Sequence, residues 1–321
     1  TYARFLVDAA KHQEAYQQFN KLWRQDQIAG REGAEVRYAL GVLAMQLKRN
    51  AEANIHFSSL QQSVKYRDEA AYFLGRIAEE EKDYAAAVKW FSKVREGHYE
   101  LEAQLRIAEN MAHADQLAEA RTLLLNLRKQ RPNHAVRVYI IESSILREAK
   151  VPESEVWALF DAGLKEHPEN IELLYSRALY AATLPRLDIL ERDLGAVLKK
   201  NPKHADALNA LGYTLADMTG RLREALGYIK QALELKPDNP AILDSMGWVT
   251  YRMGNSERAL EYLKKAIKQL HDPEIAAHLG EVLWKTGKQD EAKKVWRKAL
   301  EAFSDNRVLL ETLKRFGVKF K

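Results

Sequence analysis

The 321-residue chain carries 50 Lys and Arg against 45 Asp and Glu, a net charge of +5, with 46% hydrophobic residues and no cysteine. The missing cysteine excludes disulfides and thiolate metal sites, and the weak, mixed-sign charge argues against nucleic acid as a partner. No apolar run approaches the ~18 residues of a membrane span.

Read in chain order, residues 1–10, TYARFLVDAA, look like the middle of a first helix whose start is missing. The chain is therefore expected to be a fragment cut within a longer array, with any signal peptide or lipid anchor upstream. The next helix carries Ala15, Phe19 and Leu22, an apolar mark at 0, +4 and +7 that lines one face of a helix. The mark returns as Ala53, Phe57, Leu60, as Ala87, Phe91, Val94 and as Ala120, Leu124, Leu127. It continues at Val156, Leu190, Ala225, Ala259 and Ala292, spaced 33 to 36 residues apart from Ala53 onward. A fixed period of this size predicts a stacked array of one supersecondary unit.

Each unit divides into two helices. In residues 240–272, Leu243, Met246, Gly247 and Thr250 mark one face of a first helix, Gly254-Asn255 ends it, and Ala259, Leu263 and Ala266 face inward on the second. Gly247 and Ala259 are expected to let the two axes approach closely. Pro132, Pro168, Pro202 and Pro237 each stand twelve residues after the first member of the mark, where they stop the second helix. Residues 307–317 predict a terminal helix that caps the last core, with Leu310 and Leu313 inward and Gly317 as its stop.

The fold expected is all-α, a helical-hairpin repeat solenoid forming one continuous domain over residues 1–321. It comprises a partial repeat 1–33, eight repeats (34–67, 68–100, 101–134, 135–170, 171–204, 205–239, 240–272 and 273–306) and a capping helix 307–317.

Nothing in the chain carries catalytic chemistry. The fifteen glycines build no phosphate loop, there is no GxSxG elbow, and HExxH is absent. His134 and His204 occupy equivalent turns two repeats apart, too far for one metal. The expectation is a protein that is no enzyme and has no cofactor and no metal.

These units resemble the tetratricopeptide repeat (TPR) family, whose pattern pairs Leu-Gly in the first helix with Ala, Phe and Pro later. Leu40-Gly41, Leu74-Gly75, Leu211-Gly212, Met246-Gly247 and Leu279-Gly280 supply the pair, while Ala108, Glu142 and Ala178 replace the glycine in three units. The resemblance implies that first helices line an inner wall, exposed at positions 2, 5, 9, 12 and 13 of each unit. Carried onto this chain, those positions give Tyr38, Tyr72, Leu105, Tyr139 and Tyr175 at the fifth, Arg76, Tyr213 and Trp248 at the ninth, and Tyr251 and Trp284 at the twelfth.

Acidic residues, among them Glu35, Glu69, Asp206, Asp244 and Glu274, stand on the same wall. An aromatic, acid-edged wall suits a protein or peptide segment with basic and apolar side chains. The competing role for these rings is packing between neighbouring first helices. The Lys and Asn clamp that some family members use for chaperone carboxylates is missing.

The last three units are also similar to proteobacterial TPR outer-membrane lipoproteins, which include an adaptor for a periplasmic carboxyl-terminal processing protease that degrades cell-wall hydrolases. That likeness implies a periplasmic scaffold tethered to the outer membrane by a lipid, although a cytoplasmic location also fits the composition. The leading expectation is a non-enzymatic scaffold or adaptor that holds a partner on its inner wall. The alternatives are structural self-assembly and cell-wall glycan binding.

Overall fold

A computed structural model of the protein describes residues 11–28, 33–184 and 186–320. The expected first-helix segment at residues 1–10 lies outside the described residues. Among those described there are eighteen α-helices, one short 3-10 turn and no strand.

The chain divides after Asp161 into two compact units. The first contains α1 (His12–Ile28), α2 (Ala34–Gln46), α3 (Asn50–Ser58), α4 (Arg67–Glu80), α5 (Tyr84–Phe91), α6 (Glu100–His113), α7 (Leu117–Gln130) and α8 (Ala135–Glu148). The division falls within α9 (Glu153–Glu166). The second unit holds α10 (Ile171–Thr183), α11 (Leu187–Lys200), α12 (Ala205–Met218), α13 (Leu222–Leu235), α14 (Pro240–Arg252), α15 (Ser256–Gln269), α16 (Pro273–Lys285), α17 (Gln289–Ala302) and α18 (Arg307–Arg315).

Within each unit a first helix packs on its own second helix, and that second helix packs on the next first helix. In the second unit the first helices also touch one another in series: α10 with α12, α12 with α14, α14 with α16, and α16 with α18. The repeating mark supplies the seam. Except for Leu22 in the first copy, its alanines, phenylalanines and leucines are buried, so each hairpin closes over an apolar strip that it shares with its neighbour.

Glycine in the first helix makes that closeness possible. A Cβ at Gly41 would lie 2.7 Å from the Phe57 ring, and one at Gly280 would lie 2.0 Å from Trp296 Nε1. Both distances are below any tolerable carbon contact, so the large member of the mark packs directly over bare backbone.

In six of the repeats the turn between the two helices holds one residue with a left-handed backbone, whereas the turn at Thr219–Arg221 is made without one. Gly254 and Gly287 take that backbone at φ +90° and +83°, but Lys48, Lys82, Asp115 and Lys150 take it with φ between 53° and 61°. After that residue the chain closes back on the helix, as where Asp83 N donates to Ala78 O at 2.9 Å. Asp83 and Asn255 then cap the second helices, with their side chains accepting from Ala86 N and Arg258 N. At the other end, α7, α9, α11 and α13 each stop two residues before their proline.

Two repeats that lack the helix-contact glycine are held by buried charge. Glu142, 2% exposed, accepts from Arg128 and lies 3.6 Å from Arg121 Nε. Asp193, 1% exposed, takes a two-pronged hydrogen bond from Arg177 at 2.7 and 3.0 Å.

The capping helix corrects one expectation. Leu309 and Leu313 face inward and Leu310 is 43% exposed. The buried stripe runs Leu309, Thr312, Leu313, the 3–4 spacing of one helix face, and Leu310 falls about 100° off it.

Candidate docking groove

The expected inner-wall residues fall into three environments. In the first unit, Tyr72, Leu105 and Tyr139 are buried at 2–5% exposure. Leu105 is packed with Ala108, Leu124 and Val138, and Tyr139 lies under the Arg128 guanidinium at 4.2 Å. These three fill space between helices. Tyr38 is half-buried, stacked on Tyr66 at 4.9 Å, and its pKa is raised first by burial and then by the nearby Tyr99 phenol. Arg76 is half-buried, with its Nε 3.5 Å from Glu79.

A recurring contact explains much of this, and the five wall positions do not predict it. The ring at the fifth position is covered by a ring standing just before the next first helix. Tyr38 meets Tyr66, Tyr72 meets Tyr99 at 4.2 Å, and in the second unit Tyr175 meets His204 at 5.2 Å. The only signal for it in the sequence is a second ring 27 to 29 residues after the first.

In the second unit Trp284 is half-buried and lies against Trp296 and Phe316 at 5.7 and 5.8 Å, sealing the end of the core under α18. Tyr251 leans on Trp248 at 5.5 Å, and its pKa is raised by burial and the Glu281 charge. Three other expected residues, Tyr175, Tyr213 and Trp248, line a single groove of about 820 Å³. Its walls come from α10, α12, α14, α16 and α18, all of them first helices.

A connected polar cluster crosses this groove. His278 Nδ1 stands 2.9 and 3.0 Å from the two carboxylate oxygens of Asp244. Tyr213 donates its hydroxyl to Glu274 at 2.6 Å and lies 3.5 Å from His278 Nε2. Trp248 stacks on the His278 ring at 4.2 Å and donates Nε1–H to Asp217 at 3.1 Å.

Burial alone would lower the His278 pKa, but the Asp244 charge and hydrogen bond, helped by Glu274 and Asp217, outweigh it and the net shift is upward. Burial, then Glu274, raises the Tyr213 pKa, so the phenol stays a donor. The cluster therefore reads as an imidazole set between the Asp244 carboxylate and the Tyr213 hydroxyl, with its charged form favoured by Asp244 and its ring capped by an indole face. His278 is at the sixth position of its repeat, outside the family's exposed set. Asp244 was legible only as one wall acid among several.

Among the described residues no group of three or more His, Cys, Asp or Glu is placed to hold a metal ion, and no helix is long and apolar enough to cross a membrane.

Stacked helical hairpins with a groove walled by successive first helices define a helical-repeat scaffold. Tetratricopeptide repeat families match residues 58–99, 102–134, 191–240 and 245–307, together more than half of the chain. The chain belongs to the tetratricopeptide repeat family, whose repeats generally serve protein–protein interaction.

Among individual proteins, it is 44% identical over 214 residues to the TPR repeat-containing protein PA4667 of Pseudomonas aeruginosa, a stretch covering 67% of this chain and 36% of that one. It is 33% identical over 106 residues to the TPR repeat-containing protein MJ1428 of Methanocaldococcus jannaschii, covering 33% of this chain and 18% of the relative. The chain thus spans about a third or less of the length of these curated relatives. The solved structure of PilW, described as a widely conserved type IV pilus biogenesis factor, matches with a TM-score of 0.52 at 16% identity, over 68% of this chain and all of that one. That match shows the shared fold.

Proposed function

We propose that this protein is a non-enzymatic scaffold that docks a segment of a partner protein in the groove of its second unit. The observation that carries this reading is the groove itself. Five successive first helices contribute to it, its floor is aromatic, and its polar groups are held in place by the Asp244–His278 and Tyr213–Glu274 contacts. A partly preformed cleft of this kind orders few side chains on binding, which keeps the entropic cost of docking low.

A finer reading draws on the likeness of the last three repeats to proteobacterial outer-membrane TPR lipoproteins. In that reading the full-length protein is a periplasmic, lipid-tethered adaptor for a carboxyl-terminal processing protease. Holding protease and cell-wall hydrolase together raises their effective concentration.

The test mixes a purified carboxyl-terminal processing protease and a cell-wall hydrolase with this chain or its Tyr175→Ala/Asn209→Ala variant. Faster hydrolase degradation with the parent chain and a reduced effect with the variant support the reading. An unchanged rate, with no heat of binding to either protein by calorimetry, overturns the adaptor assignment.

A further inference from the structure

Selectivity for one kind of partner segment presupposes the docking groove proposed above, and the chemistry of its lining supplies the basis for it. The whole chain is net positive, yet the groove is not. Its lining brings the carboxylates of Asp206, Asp217, Asp244, Asp272, Glu274 and Glu311 together with only two guanidiniums, those of Arg307 and Arg315, and the His278 imidazole. The cations are already engaged: Arg315 pairs with Glu281, Arg307 lies 3.7 Å from Glu311, and His278 and Lys236 pair with Asp244 and Asp206. Asp217, Asp272 and Glu274 add negative charge beyond these pairs, and a cleft in which carboxylates outnumber cations concentrates positive charge.

A second observation, independent of charge, points the same way. Asn209 lines this groove, and its side-chain oxygen is buried without a hydrogen-bond donor. A buried acceptor without a donor has lost its hydration and gained nothing in return, a deficit that an entering N–H group relieves. A ligand that supplies both a positive charge and N–H donors is an ammonium or a guanidinium. The half-buried ring of Tyr175 and the floor at Tyr213 give the alkyl stem of such a side chain an apolar and π surface to lie on.

We propose that the groove of the second unit selects a basic segment of a partner protein, inserting a lysine or arginine side chain among Asn209, Tyr175 and the surrounding carboxylates. Acidic segments are rejected by the same field, so the site discriminates by repulsion as well as by attraction.

The probe is a display library of random twelve-residue peptides selected on the intact chain, with the recovered peptides remeasured by fluorescence anisotropy. Two variants separate the outcomes. Asp206→Asn/Glu311→Gln removes two surface carboxylates whose partners, Lys236 and Arg307, are themselves exposed. Asn209→Arg blocks the groove. Circular dichroism melting confirms that both remain folded.

The expected result is enrichment of Lys and Arg over Asp and Glu. Binding of the best peptide should weaken at least about tenfold in the double carboxamide variant, and should fall as salt is raised. Neutral or acidic peptides that are still lost on Asn209→Arg would overturn the charge selection while leaving the docking groove standing. Peptides indifferent to Asn209→Arg, or no enrichment at all, would overturn the docking reading itself.

Discussion

The imidazole of His278 on α16 and the carboxylate of Asp244 on α14 meet at 2.9 Å across two successive repeats, and both are almost wholly buried. Because the folded-state His278 pKa is raised, the pair's contribution is complete below the unfolded value near 6.5 and is lost as pH climbs through the folded value. The groups facing the imidazole, Asp244, Glu274, Asp217 and Tyr213, all favour its charged form or are neutral. His278→Gln should therefore cost about 3 kcal/mol at pH 6, and the gap to the parent should shrink toward alkaline pH. Urea unfolding at three pH values measures it. A gap that stays constant or widens with pH would show that the imidazole is neutral in the fold.

Glu142 replaces the helix-contact glycine of its repeat and is buried against Arg128. Removing one partner leaves a charge without compensation, whereas removing both leaves an apolar seam. Glu142→Ala should destabilise by about 3 kcal/mol, and the double change Arg128→Met/Glu142→Leu should recover most of that loss. The midpoints of denaturant unfolding of the three proteins test this, and equal loss in single and double variants would deny the coupling.

Lys82 holds a left-handed backbone at φ 61° and is exposed. A side chain there costs about 1–2 kcal/mol, partly offset by the greater freedom that glycine has in the unfolded chain. Lys82→Gly should raise stability by roughly 0.5 kcal/mol, and Lys82→Ala should not. Thermal melting of both variants separates a backbone effect from the loss of a charge.

The architecture was legible because it is written in the seam. Phe57 over Gly41 and Trp296 over Gly280 demand one bare residue and one large residue at fixed separation, and that demand recurs along the chain. The candidate groove was only half legible. Tyr213 and Trp248 stand at positions the family exposes, but exposure at those positions depends on the neighbours in the adjacent repeat. Tyr72 is covered by Tyr99, and Trp248 by His278. Asn209 stands at the fifth position of its repeat, as Tyr38 and Tyr175 do, but nothing in the sequence marks its oxygen as lacking a donor, and His278, at the sixth, gave no periodic signal because its role comes from contacts between neighbouring repeats. Leu310 failed for a simpler reason: Leu309 and Leu310 are adjacent leucines, and only the angular register of α18 decides between them.

The seam residues are what successive repeats have in common, whereas the groove is assembled from what they do not share: Tyr213, Asp244 and His278 each occupy a different place within their own repeat. Copying one repeat three times would rebuild the stack and erase the cluster. A consensus redesign of residues 205–306 should therefore yield a stable, well-folded stack without the Tyr213, Asp244 and His278 cluster, so that in this molecule the capacity to fold and the chemistry of the groove are carried by separate sets of residues.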